Sequence, residues 1–141
     1  MRKSHKIKKK RSLVIILIIL VILILMFFAF DINKKLKAKK SLKFFKEGKI
    51  AFSNGNYKDA LKNFKKSIQL NPNNYEAYNG LASAHAALGN NTQAIKLYSR
   101  SISLNSANAE TYRLLGNIFY LMSEHELAVI QFKKAVELNP Q

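Results

Sequence analysis

The chain has no cysteine, which removes disulfides, thiolate nucleophiles and thiolate metal sites from consideration. Arginine is scarce as well, 4 against 20 lysines, so the side chain best suited to bidentate recognition of phosphates and base edges is in short supply. Catalytic signatures are also missing: the sequence contains no phosphate-cradling glycine loop and no HExxH zinc motif. The histidines are His5 in a basic tail, His85 at a core-type position and His125 at a turn. Glu124-His125-Glu126 does not make a metal site, because neighbouring helical side chains diverge by about 100°. These absences predict a protein that is not an enzyme, with no catalytic residue, no metal and no cofactor.

Acidic residues number 8 against 24 Lys and Arg, for a net charge of +16. The excess is concentrated. Residues 1–12 hold seven Lys or Arg and no acid; residues 31–49 hold eight Lys against Asp31 and Glu47; residues 50–141 hold nine bases and six acids. Between the two basic segments runs Leu13 to Phe30, 18 apolar residues without a charge, a Gly or a Pro. As a helix this run is about 27 Å long, enough to cross a bilayer.

A cleavable signal would have an apolar core of about 7 to 15 residues followed by small residues. Here the run ends Met26-Phe27-Phe28-Ala29-Phe30-Asp31 with no A-x-A pattern. An uncleaved signal anchor, residues 13–30, is the expectation, with its aromatic end at a membrane interface. The basic tail, residues 1–12, favours an inside N-terminus and a domain on the non-cytoplasmic side. The Lys-rich linker of residues 31–40 pulls the other way, so the charge asymmetry that sets orientation is weak.

The remaining residues repeat every 34 positions: Gly48, Ala82 and Gly116 fall in step, as do Ala60, Ala94 and Ala128, and Phe64, Tyr98 and Phe132. Leu70-Asn71-Pro72, Leu104-Asn105-Ser106 and Leu138-Asn139-Pro140 keep the same interval. Such a period belongs to stacked helical hairpins. It predicts three pairs of helices: Ser41 to Ser53 with Tyr57 to Leu70, Tyr75 to Ala87 with Asn91 to Leu104, and Ala109 to Met122 with His125 to Leu138. Asn54-Gly55-Asn56, Gly89-Asn90 and the Asn-rich stretches at 71–74 and 105–108 break them. Glycine inside a helix costs about 1 kcal/mol relative to Ala, so Gly48 and Gly116 must be offset by close approach of the partner helix. The aromatic set fills the space between hairpins.

The region 41–141 resembles three tetratricopeptide repeats, spanning residues 41–74, 75–108 and 109–141. The family pattern is carried by Tyr112, Leu115-Gly116, Phe119, Ala128, Phe132 and Pro140 in the last repeat. In the first it is carried by Phe44, Gly48, Gly55, Tyr57, Ala60, Phe64 and Pro72, and in the second by Tyr78, Leu81, Ala82, Gly89, Ala94 and Tyr98. Three departures stand out: Glu47 replaces a Leu, Ser106 a Pro, and Ser123 occupies the place of Gly55 and Gly89.

The resemblance implies an all-α solenoid whose first helices line a concave groove for a peptide or partner helix. The groove positions are then Phe45, Lys49 and Phe52; Glu76, Asn79, Ser83 and Ala86; and Glu110, Arg113, Asn117 and Tyr120. Some family members grip acidic C-termini with a clamp of Lys, Asn and Arg. The matching positions here are Phe45, Lys49, Gly80, Glu110 and Leu114, of which only Lys49 fits, so that ligand is rejected.

Leu127 and Ile130 replace polar residues of the earlier repeats. With Val136 they are expected to form an apolar strip at the last hairpin that docks another copy or another protein. The favoured function is a membrane-tethered protein-interaction scaffold with a protein or peptide partner and scope for homo-oligomers. The alternative is a membrane-proximal binder of nucleic acid or another anionic polymer through Lys34 to Lys49. Lysines beside a membrane segment also pair with anionic headgroups at about 1 kcal/mol each, and this weighs against a nucleic-acid partner.

Overall fold

The computed structural model describes the backbone of residues 2–140 and the side chains of residues 15–140. The side chains of the basic tail, with His5, those of Leu13 and Val14, and all of Gln141 lie outside the described residues. Among the described residues there are six helices and no strand: α1 (Arg2–Ser53), α2 (Tyr57–Leu70), α3 (Tyr75–Ala87), α4 (Asn91–Leu104), α5 (Ala109–Leu121) and α6 (His125–Leu138). The chain divides into two compact units, Met1–Lys37 and Ala38–Gln141.

In the N-terminal unit every side chain from Ile15 to Phe30 is exposed. By length and composition this helix is a candidate membrane span, the single one among the described residues. Residues 31–40, read from sequence as a linker, are helical throughout. No Gly or Pro interrupts them, and Lys35 Nζ lies 2.7 Å from Asp31 one turn earlier, a spacing that supports a helix.

The C-terminal unit is three antiparallel hairpins stacked in sequence, α1 (from Ala38) with α2, α3 with α4, and α5 with α6, the all-α solenoid expected from the period. Each hairpin turn needs one residue in the left-handed region. Gly55 (φ 75°) and Gly89 (φ 77°) supply it without cost, whereas the third turn uses Ser123 at φ 62°. Asn74 and Asn108 cap the N-termini of α3 and α5, their side chains accepting from the N–H groups of Ala77 and Thr111 at 3.1 and 2.9 Å. Helix α5 stops at Leu121 instead of Met122, because the Met122 N–H bonds to both Ile118 and Phe119 carbonyls and closes the last turn.

Packing explains the repeated small and large residues. Ala60, Ala94 and Ala128 are buried, as are Phe64 and Tyr98. A Cβ on Gly48 would stand 2.8 Å from the Phe64 ring, and one on Gly116 would stand 2.6 Å from Phe132. The partner helix's aromatic ring, not its backbone, therefore occupies the space the glycine leaves. Gly80 adds a contact not foreseen from the period: a Cβ there would collide with the far edge of Phe64. The ring is held between the first hairpin and the second, and its burial is worth about 1.5–3 kcal/mol.

Three serines complete the stack. Ser41 Oγ donates to the Ser67 carbonyl at 2.9 Å and lies 3.0 Å from Ser67 Oγ. One repeat later, Ser101 Oγ donates to the Tyr75 carbonyl at 3.0 Å. Both bonds tie the start of a hairpin's first helix to the end of its second, and both satisfy hydroxyls buried away from water.

Candidate interaction groove

Phe45, Glu76, Asn79 and Glu110 repeat along α1, α3 and α5 at near-equivalent positions, so stacking the hairpins lines them up on one side. Together with Lys49, Ser83, Gly80 and Leu114 they border an open cavity of about 320 Å³. Six of the residues expected in the groove, Phe45, Lys49, Glu76, Asn79, Ser83 and Glu110, thus meet at one place. So do all five positions matching the acidic-peptide clamp, Phe45, Lys49, Gly80, Glu110 and Leu114.

The cavity's floor is aromatic. The Phe45 ring packs against Phe64 with centroids 6.0 Å apart, and Lys49 Nζ sits 5.8 Å above the Phe45 ring. Its wall is polar and wired. Asn108 Oδ1 accepts from the Thr111 hydroxyl at 3.0 Å, and Thr111 Oγ1 in turn accepts from Asn79 Nδ2 at 2.7 Å. That chain fixes the Asn79 amide and leaves Asn79 Oδ1 without a hydrogen-bond partner. On the same side of α3, Ser83 Oγ and the Tyr98 hydroxyl are 2.8 Å apart. Burial raises the Tyr98 pKa above its usual 10.0, and the Ser83 bond partly opposes the shift.

Arg113 grips Glu110 with Nε to Oε2 at 2.7 Å and Nη2 to Oε1 at 2.6 Å. The bond to Glu110 raises the Arg113 pKa above the usual arginine value. Both ions are about half exposed, so the pair adds little stability. It does commit Arg113's guanidinium to a neighbour and offsets the Glu110 charge.

The other expected groove residues lie elsewhere. Phe52 packs on Tyr57 with ring centroids 5.3 Å apart, inside its own hairpin. Ala86 packs against the buried cluster around Tyr98. Arg113 borders a second hollow, beside Phe132 and Val136. Asn117 is exposed outside the cavity, and Tyr120 stands edge-on to His125 at 5.5 Å. Helical spacing alone puts these five on the same face as the residues that do meet. The stacking of the hairpins brings Tyr75 to Ser83 of α3 and Glu110 to Leu114 of α5 into the hollow, together with Phe45 and Lys49 near the C-terminal end of α1.

At the last hairpin Leu127 and Ile130 are exposed, 41% and 56%, and do not fold into their own hairpin. Val136 belongs to a different surface. It joins Val129 and Phe132 along a shallow hollow of about 440 Å³. Nothing in the comparison of repeats singles out Val129, although its register mates Leu61 and Ile95 are both packed against buried clusters.

A fold of stacked antiparallel hairpins in a 34-residue register defines a helical-repeat scaffold. The sequence model for the tetratricopeptide repeat matches residues 45–109 and 84–141, and the chain belongs to that family. Among solved structures, the tetratricopeptide domain of Arabidopsis OM64 superposes with a TM-score of 0.72 at 22% identity, over 74% of this chain and 87% of that one. The first such domain of Spaghetti (RPAP3), bound to the HSP90 peptide SRMEEVD, gives 0.71 at 23% identity, over 74% and 82%. MamA gives 0.68 at 30% identity, over 77% of this chain and 65% of that one. No curated protein matches the chain.

Proposed function

We propose that the chain is a membrane-anchored interaction scaffold whose groove holds an extended peptide or partner helix. The observation that carries this reading is the open hollow bordered by α1, α3 and α5, with an aromatic floor and polar side chains along its wall. Apolar floor and sparse polar groups are what a peptide site needs: area for affinity, a few hydrogen bonds for register. The basic tail, the anchor over 13–30 and the Lys-rich segment over 31–40 precede the three repeats in this reading, with the repeats on the non-cytoplasmic side. Tethering raises the effective concentration of the groove for partners on the same membrane.

The ligand is not an acidic peptide like the SRMEEVD bound to the Spaghetti domain. Where a cationic clamp needs Lys and Arg, this hollow has Phe45, Glu110 and Leu114, and Arg113 is committed to Glu110. The proposal extends to self-association or capture of a protein through the last hairpin.

Residues 38–141, titrated with a fluorescent peptide array that includes SRMEEVD, test the groove. Expected binders lack terminal acids and lose affinity about tenfold or more when Phe45 becomes Ala, in line with a buried aromatic contact. Tight binding of SRMEEVD would overturn the reading. Titrating the full chain with an anionic polymer across salt separates the polyelectrolyte alternative, whose affinity would collapse by about a thousandfold between 50 and 200 mM salt for six phosphate contacts. Carbonate extraction of the full chain tests the anchor.

A further inference from the structure

Residues 31–40 hold five lysines and a single acid, Asp31. Lys35 is committed to that acid at 2.7 Å, while Lys34, Lys37, Lys39 and Lys40 are exposed and make no ion pair among the described residues. The segment is helical throughout, so each residue turns its side chain by about 100°. With Lys34 taken as zero, Lys37, Lys39 and Lys40 point about 300°, 140° and 240° round the axis. Unpaired positive charge therefore faces every side of the helix.

The next stretch of α1 is different. Ser41 and Gly48 are buried against α2, and Lys43, Lys46 and Lys49 fall at about 180°, 120° and 60°, within one half of the helix. A lysine distribution dictated by hairpin packing is one-sided, and the distribution over residues 34–40 is not.

That difference selects the ligand. A nucleic-acid duplex or an acidic protein presents one surface and would meet lysines on one side only. Anionic phospholipids surround a helix that leaves a bilayer and can meet all four. Depth agrees: Lys34 to Lys40 lie about 6–15 Å along the axis beyond Phe30, beside a headgroup layer about 5–7 Å thick. Helical side chains tilt toward the N-terminus of their helix, here the end that carries the apolar run, so the long lysine stems lean back toward the phosphates.

We infer that Lys34, Lys37, Lys39 and Lys40 hold a ring of anionic phospholipid headgroups around α1. The inference rests on the proposed anchor and names the lipid class it takes. Lys35, already neutralised by Asp31, contributes least.

The chain has no tryptophan, so Phe30→Trp reports the lipid beside the lysines without background. In vesicles of phosphatidylcholine and phosphatidylglycerol holding the full chain, quenching by the brominated form of each lipid gives its relative affinity for this end of the span. The expected preference for phosphatidylglycerol is about fivefold or more, the effect of one lysine near the surface, and it falls close to parity when all four lysines become Gln. Lys34→Gln with Lys39→Gln, and Lys37→Gln with Lys40→Gln, clear opposite sides of the helix and should each lower the preference by a similar factor. Circular dichroism checks that every variant stays helical. No preference in the parent, or one that the quadruple variant keeps, would overturn the inference while leaving the anchor, read by carbonate extraction, in place. Loss with one pair alone would overturn the ring in favour of a one-sided ligand. Polyuridylate that abolishes the preference at equal phosphate would overturn it in favour of nucleic acid. Absence of quenching by either lipid would overturn the anchor and the inference together.

Discussion

The ring of Phe64 occupies the space that a Cβ on Gly48 would need, since that atom would stand 2.8 Å from two ring carbons. Phe64 cannot withdraw, since Gly80 of the next hairpin touches its far edge. Gly48→Ala is therefore expected to destabilise residues 38–141 by about 1–3 kcal/mol, despite the gain of about 1 kcal/mol in helix propensity. Urea unfolding of the single variant and of Gly48→Ala with Phe64→Leu checks it. The second change should recover part of the loss, and additive losses would show that the ring is not the obstacle.

Ser123 adopts φ 62° at the turn where the other hairpins use glycine. A side chain in the left-handed region costs about 1–2 kcal/mol, partly offset by the greater freedom glycine has when unfolded. Ser123→Gly should raise stability by about 0.5–1 kcal/mol, read as a higher melting temperature. Asn, which tolerates this region, should fall between the two.

Asn71 and Asn105 end their helices at φ −139°, ψ 91° and φ −146°, ψ 91°, although Pro72 follows the first and Ser106 the second. In both turns the Asn side chain accepts from the N–H two residues on, at 3.2 Å. The residue before a proline must be extended, and Asn105 already is. Ser106→Pro is expected to stabilise the domain by about 0.4–1 kcal/mol through the unfolded chain, with no change in circular dichroism.

His85 carries a pH dependence. Burial, and then the charge of Lys65, lower its pKa below 6.5, and its buried Nδ1 has no partner. The unfolded chain takes up the proton more readily than the folded one, so stability is complete above about pH 6.5 and declines as pH falls below it. Thermal melts of residues 38–141 between about pH 7.5 and 5 should show the decline. His85→Phe, which copies Phe119 one repeat later, should reduce it. An identical slope in that variant would assign the dependence to another group.

The hairpins were legible in the sequence because their signals are local: small and aromatic residues in step, Asn and Gly at the breaks. Even the departure at Ser123 marked the strained turn. The groove was half legible. Phe45, Glu76, Asn79 and Glu110, which the resemblance implied for a groove, line one hollow, but Phe52, Ala86 and Tyr120 sit elsewhere. Which stretch of a helix face enters the hollow depends on the rotation between hairpins, and no period in the chain encodes that angle. For the same reason Gly80 gave no hint of its contact with Phe64, a residue of a different hairpin. The Glu110–Arg113 pair was within reach, three residues apart on one helix, and its neglect overstated the free charge on the groove wall. At the last hairpin, substitution against polar mates drew attention to Leu127 and Ile130. Val136 was among the residues named from sequence, whereas Val129 was not, although both are exposed.

The near-identical backbone angles of Asn71, Asn105 and Asn139 make each of these turns an interchangeable joint. A duplicated block of 34 residues spliced in after Asn105 would find a seat on both sides shaped for it. Length is therefore a quantity this architecture can change by whole units, through recombination or by engineering, at the cost of the few contacts that differ between repeats, such as Asn79 to Thr111.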